Sequence, residues 1–372
     1  MNAAVVGAGI FGLASALELR KRGHTVTVFE QGKVPHERAS STDVSKAIRR
    51  VGYDEIHLNL LERARTQWQE WHDRLSRSIY ERTGLIHIAA ASDNYSQQRW
   101  GFLKDQNADV EILDSRQARK RFPQFVYRDD DVVYHDSWGG YLRSEQAVAD
   151  LAALAIAEGV TIRTQTPVLE IAENPSGVQL TLTNESAVAD RVVIAVGAWM
   201  SRLVPELGRH VRVTRQEMAF FRPPDPTPFR RDRCPVWCVH PDTEAWYGFP
   251  MLREGFFKIA SDQLGPVVEP DIERSATPDF LAAVEEFVAL RLPGIAAGKL
   301  VGSRSCLYTN TVDHQFVVDW VPDSQRVAVA GCGCGHGFKF GGVIGMVVAD
   351  HIEDKANPLG EPFRMHRLDA NL

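Results

Sequence analysis

Two glycine-rich stretches carry most of the chemical information in this chain. The first is Gly7-x-Gly9-x-x-Gly12, set between the apolar run AAVV and the helix-like LASALELRKRG. In such a turn the first glycine permits the sharp bend, the second lets backbone approach a pyrophosphate, and the third lets helix and strand pack closely. The pyrophosphate rests on the helix N-terminus, where free N–H groups and the dipole favour negative charge. Glu30 follows the strand-like run His24 to Phe29, at the distance where an acid accepts hydrogen bonds from an adenosine ribose. A carboxylate there disfavours a 2′-phosphate, which leaves NAD or FAD, and the motif does not separate them. The second stretch is GCGCGHGFKFGG at 331–342. It is too rich in glycine for an ordinary strand or helix interior. Its Cys332, Cys334 and His336, with Cys234, Cys238 and His240, could assemble a zinc site. Neither cysteine pair has the CxxC spacing that structural zinc favours, so no metal is expected and the thiols read as small buried hydrophobes.

The elements around these stretches follow from periodicity. Leu60, Ala64, Trp68, Trp71 and Leu75 form one apolar stripe, which predicts a core-facing helix over 54–76. Ser144 is placed to cap a helix carrying Ala147, Leu151 and Leu154, and Thr277-Pro278 to start one carrying Phe280, Val284, Phe287 and Val288. GVTIRTQTPVLEIA, VQLTLTN and RVVIAVGAW alternate as strands, the last ending in the small residues Ala195 and Gly197. From 211 to 260 the chain turns to aromatic strand-like pieces, among them WCVHPD, broken by prolines; the apolar VAVA at 327–330 then returns to the opening pattern. The fold expected is α/β plus α+β. A discontinuous Rossmann-like domain (1–80, 142–209 and 303–372) carries an inserted, mainly antiparallel substrate domain (81–141 and 210–302).

The bulk numbers fit that picture. The chain has 372 residues, 44% hydrophobic and 24% charged, with net charge −6. Two domains are the prior for such a length. No basic footprint suits nucleic acid, and no apolar stretch approaches a membrane span. Five cysteines, an odd number, argue against a disulfide framework. The opening residues already belong to the motif, so no cleaved signal is expected and a cytoplasmic monomer or small homo-oligomer is. The middle of the chain holds no second GxGxxG, which favours reduction of the cofactor by the substrate itself.

Three segments together resemble one family. SRSCLYTNTVDHQFVVDW followed by VAVAGCGCGHGFKF, with WYGFP at 246–250 and GGYLRSEQAVADLA, is similar to the monomeric sarcosine oxidases and N-methyltryptophan oxidases. These are flavin-dependent amine oxidases of the D-amino-acid-oxidase superfamily. The resemblance covers essentially the whole chain, and it implies FAD. It further implies a thioether from Cys306 to the flavin, and Gly335, His336, Gly337 and Phe338 shaping a turn around the flavin ring. Lys339 and Arg49 would hold a substrate carboxylate. Arg50 next door leaves the register open by one. Lys46 would stand at the other face of the flavin, Lys258 would activate oxygen beside flavin N5, and Tyr308 and Tyr247 would line the substrate cavity. With Gly7, Gly9 and Gly12, the residues Ile10, Phe11, Glu30, Ser41, Val168 and Gly197 complete the expected cofactor contacts.

The activity implied is oxidation of an N-substituted amino acid by FAD, with imine hydrolysis and reduction of oxygen to hydrogen peroxide. Alternatives are a dehydrogenase with another acceptor, an oxidase of larger amines such as fructosyl amino acids, and a non-catalytic FAD-binding subunit. Two departures bear on the substrate. Asp262 and Thr42 stand where the sarcosine-type enzymes carry histidines, and STDVSKAIRR leans towards the relatives that oxidise larger secondary amines.

Overall fold

The computed structural model describes residues 1–369 apart from 76, 107 and 241–244. The opening run becomes the strand Asn2–Val6, inside a six-stranded sheet. Its order is Val317–Trp320, Val327–Gly331, Arg191–Ile194, Asn2–Val6, Thr25–Phe29, Thr161–Arg163. All neighbours are parallel except the first pair. Both faces are covered, which is why these strands read as unbroken apolar runs. Ala3 and Val5 face the helices Ile10–Lys21, Ser144–Ala157 and Gly341–Ile352. Ala4 and Val6 face a three-stranded antiparallel meander through Val178, Leu180 and Leu182.

The second sheet has eight strands: Lys299–Thr311, Val211–Arg222, Phe257–Ser261, Trp246–Phe249, Val236–His240, Leu85–Ala90, Asp131–Asp136, Val110–Asp114. Only Val236–His240 and Leu85–Ala90 run parallel; the other pairs are antiparallel. Side chains alternate across each strand, so the sheet has two distinct faces. Ile86, Trp237, Trp246, Phe257 and Ile259 bury one face against Phe280, Val284 and Phe287 of the helix Pro278–Arg291. The register aligns His87, Cys238, Tyr247, Ala260 and Met218 in one row across the other face. Two residues along lies the row of Val236, Phe249, Lys258 and Phe220, on the same face. The strand Lys299–Thr311 adds Cys306, packed with Met218, Ala260, Tyr247 and Tyr308. It lies wholly in this sheet, across position 303.

The α/β plus α+β architecture is as the sequence predicts. The helix over the aromatic stripe spans Glu55–Arg74, buries Leu60, Ala64, Trp68 and Trp71, and is capped by the Asp54 carboxylate accepting from His57 N–H. Residue 76 and positions 241–242 of WCVHPD lie outside the described residues. Thr277 caps its helix as expected. Ser144 does not: it is the first helical residue, and its hydroxyl donates to the Asp43 carbonyl. Among the described residues no helix is long and apolar enough to cross a membrane.

Candidate active site

The two glycine stretches meet on one cleft of about 360 Å³. Gly7, Gly9, Ile10, Phe11, Glu30, Ser41, Val168 and Gly197 line one part of it, and Gly335, Gly337 and Phe338 another. Gly12 lies below the cleft, where a Cβ would stand 1.9 Å from the Gly7 carbonyl oxygen. Gly7 has φ +102°, a left-handed conformation that other residues adopt at a cost. The Glu30 carboxylate is fixed by backbone, Oε2 accepting from Ala8 N–H (2.8 Å) and Oε1 from Gly32 N–H (3.0 Å). At the helix start Ile10 N–H donates to Ser41 Oγ (3.1 Å). A glycine cradle at a helix N-terminus with an oriented carboxylate beside it fits the pyrophosphate and ribose of FAD.

The second stretch behaves differently along its length. Cys332, Cys334 and Gly335 all have positive φ (56°, 46° and 75°) and line the cleft with Gly333. The two cysteines are therefore part of the cleft wall, which the sequence reading did not foresee. A Cβ on Gly335 would stand 2.5 Å from the Tyr308 ring, so only glycine lets that ring approach the turn so closely. Beyond it the chain forms a short 3-10 turn, Gly337–Phe340. Trp68 locks this turn, donating from Nε1 to the Lys339 carbonyl (2.8 Å) and stacking on Phe338 (5.6 Å between centroids). Its place in the aromatic stripe is thus both core and support. His336 and Lys339 point away from the cleft wall, towards Tyr53.

Three groups of side chains result. In the first, Lys339 Nζ donates to Tyr53 Oη (2.9 Å) and to the His336 carbonyl (3.1 Å), and Arg49 lies over the same Tyr53 ring at 5.3 Å. Burial, reinforced by the Arg49 charge, pushes Lys339 well below the usual lysine value. Among the described residues neither cation has a carboxylate partner. Arg50 does, in a bidentate pair with the buried Asp136 (2.5 and 3.1 Å). Of the two neighbouring arginines, Arg49 is therefore the one without a carboxylate in contact among the described residues.

In the second group Tyr247 Oη and Tyr308 Oη approach to 3.4 Å, longer than an ordinary hydroxyl hydrogen bond. Burial raises both phenols, so they stay protonated at neutral pH. Cys306 packs beside them.

The third group joins Lys258 and Lys46 through Asp43, a residue the sequence reading passed over. Lys258 Nζ donates to Asp43 Oδ2 (2.5 Å) and to the Ser45 carbonyl (2.9 Å), and lies 4.7 Å from the centre of the Phe249 ring. Lys46 Nζ stands 3.2 Å from the same carboxylate oxygen and lines the cleft. Lys258 and Asp43 are each about 1% exposed. Burial lowers Lys258 to about 8, with Asp43 opposing that shift. The two ammonium groups overcome the effect of burial on Asp43 and hold its carboxyl far below the ordinary range.

Asp262 sits exposed one residue beyond the strand Phe257–Ser261, and its charge acts on Arg49, Tyr53 and Lys339. Further along the same face His87, Cys238 and His240 bring three ligand atoms within 4.8 Å of one another. His87 cannot join a metal site as it stands. Its Nδ1 accepts from Trp100 Nε1 (2.8 Å), so Nε2 carries the proton and faces Ser96 Oγ (3.3 Å). The paired cysteines lie in separate cores, Cys234 beside Trp237 and Cys332 with Cys334 beside Met200.

Residues 2–351 match the DAO family model, described as FAD dependent oxidoreductase. An N-methyl-L-tryptophan oxidase of Yersinia pestis (strain Pestoides F) is 27% identical over 360 residues, 95% of each chain. NikD, an unusual amino acid oxidase essential for nikkomycin biosynthesis, superposes with TM-score 0.85 at 22% identity, over 95% of this chain and 94% of that one. The L-proline dehydrogenase of P. horikoshii gives TM-score 0.88 at 17% identity, over 100% and 98%. One fold thus serves an oxidase and a dehydrogenase, and the fold alone does not set the electron acceptor.

Proposed function

The chain belongs to the DAO family of FAD-dependent oxidoreductases, and from that premise we propose that it oxidises a secondary amine bearing a carboxylate, an N-substituted amino acid. The observation that carries this reading is the pair of cations around Tyr53. Arg49 and Lys339 are largely withdrawn from bulk water with no carboxylate in contact among the described residues, which is costly unless a ligand supplies one. A substrate carboxylate answers both: a guanidinium grips it through two parallel hydrogen bonds and an ammonium adds a point charge. The 27% identical N-methyl-L-tryptophan oxidase is consistent with such a substrate.

FAD, when bound, takes a hydride equivalent from the C–H beside the amine nitrogen, and the imine product hydrolyses in water. The chain's part is to orient and to tune. Arg49 and Lys339 fix the carboxylate end, and Tyr247 and Tyr308 present neutral hydroxyls to the rest of the substrate. The neutral amine is the reactive form, so substrate oxidation accelerates with pH until the free amine dominates. Lys258 acts in the second half of the cycle, its charge stabilising superoxide as oxygen takes the first electron. Cys306 is the residue that links the flavin covalently. In this reading the six-stranded sheet carries the cofactor, the face of the eight-stranded sheet that bears Tyr247 and Lys258 carries the substrate, and amine and molecular oxygen are the partners. A non-oxygen acceptor is the second reading, favoured by the place of Lys258 behind the cleft lining that Lys46 joins.

The test is anaerobic bleaching of the flavin's visible band by sarcosine, pipecolate, N-methyl amino acids, fructosyl amino acids, proline and hydroxy acids, followed by air. Bleaching by a secondary amino acid with fast recovery supports the amine oxidase. Slow recovery turns the reading to a dehydrogenase, and no bleaching by any amine contradicts it.

A further inference from the structure

Asp43 is built into its place from both sides. Its carbonyl accepts from Glu145 N–H (2.8 Å) and from the Ser144 hydroxyl at the first turn of the helix Ser144–Ala157. Its Oδ1 accepts from Val44 N–H (2.8 Å), which turns Oδ2 to both lysines. Two ammonium groups and one carboxylate leave one net positive charge beside the cleft. Of the three N–H donors of Lys258, two are taken by Asp43 and Ser45, and one remains.

We infer that Asp43 is a positioning residue whose carboxylate, bridging Lys258 and Lys46, keeps Lys258 in its charged form and aims its remaining donor. This rests on the reading of Lys258 in the oxygen step. In that step O2 takes two electrons from the reduced cofactor and two protons, and leaves as hydrogen peroxide while the cofactor returns to its oxidised state. Only a charged Lys258 assists the first transfer, since a neutral amine offers superoxide no counter-charge. The groups acting on Lys258 are Asp43 and Lys46 from the segment before Arg49, and Cys306 from the strand Lys299–Thr311. Arg304 acts in turn on Asp43 and Lys46. Burial favours loss of the proton from Lys258, the Asp43 carboxylate at 2.5 Å opposes that loss, and the Lys46 charge adds to it.

The two neighbours therefore pull in opposite directions, which a merely structural role would not produce. In lysine-labelled holoenzyme the Lys258 Nζ resonance is identified by its loss in Lys258→Met, and its titration midpoint is followed by NMR. Asp43→Asn, which keeps the shape and the Val44 contact, is expected to lower the midpoint by about one unit, with reoxidation by oxygen at pH 9 slowing about tenfold. Anaerobic reduction by substrate changes less. Lys46→Met is expected to raise the midpoint, and it carries the test alone if Asp43→Asn does not fold. Midpoints that stay put, or move the same way in both variants, overturn the inference. Lys258→Met reoxidised as fast as the unmodified enzyme overturns the reading of Lys258 beneath it. Slow Lys258→Met with an unmoved midpoint in Asp43→Asn overturns the role of Asp43 alone.

Discussion

Arg49 and Lys339 on either side of Tyr53, and Lys258 and Lys46 on either side of Asp43, are both pairs of cations withdrawn from water. Among the described residues only the second pair has a carboxylate between its members. A buried charge that the protein compensates is part of its own structure. A buried charge left uncompensated is a standing demand for an anion from outside. In the function proposed above, the first pair is the place for substrate and the second a preset field beside the cofactor. Arg50 sharpens the distinction, since it adjoins Arg49 in sequence yet is closed off by Asp136.

This contrast breaks or holds by mutation. The largest effect is expected from Arg49→Ala, which should lower kcat/KM for a carboxylate-bearing amine about a thousandfold, roughly 4 kcal/mol, as loss of a charge-pair partner does. Arg50→Ala should instead leave kcat/KM nearly intact and lower stability, because it strands Asp136. Equal kinetic losses in both variants would mean the register is wrong. Next in size, Asp43→Ala removes the bridge between the buried Lys258 and the half-buried Lys46 and should cost about 3 kcal/mol in urea unfolding. Lys339→Met, which removes a charge that contacts no carboxylate among the described residues, should change stability by less than about 1 kcal/mol, or raise it. If the two substitutions cost the same, the difference drawn between the two pairs is lost.

A smaller effect separates the two half-reactions by pH. Lys258 is lowered to about 8 by burial, and in the proposed function its charged form is the one that assists oxygen. Reoxidation should therefore be constant below about pH 8 and fall above it, while reduction by substrate rises over the same range. Stopped-flow measurement of each half-reaction checks this, and a reoxidation rate that rises with pH would remove Lys258 from the oxygen step. Cys306→Ala should not touch either trend. It should only let acid extract the flavin, and flavin retained in the precipitate would exclude the thioether.

The cofactor half of the molecule was legible in the sequence because its determinants are local. Gly7, Gly9 and Gly12 fall within one turn, and Glu30 ends the next strand. The apolar runs of a two-sided parallel sheet cannot be mistaken for a polar surface. The candidate site was legible only as single residues matched by resemblance. Their grouping depends on contacts such as Lys258 with Asp43, 215 residues apart, and Lys339 with Tyr53, 286 apart. Asp43 gives no periodic signal, and its one local hint is Lys46 three residues on. Ser144 was read as a helix cap because its type suits one, but the helix begins a residue early and its hydroxyl went to Asp43. Nor could spacing show that Cys332 and Cys334 would adopt left-handed backbone to form the cleft wall.

The most direct test of the account is one pair of ligands. Flavin bleaching is measured anaerobically with an N-methyl amino acid and with its methyl ester, in the unmodified enzyme and in Lys339→Met. The account predicts strong discrimination for the acid by the unmodified enzyme, and little or none by the variant. Equal rates for acid and ester in the unmodified enzyme would contradict it, because Arg49 and Lys339 would then be holding something other than a carboxylate.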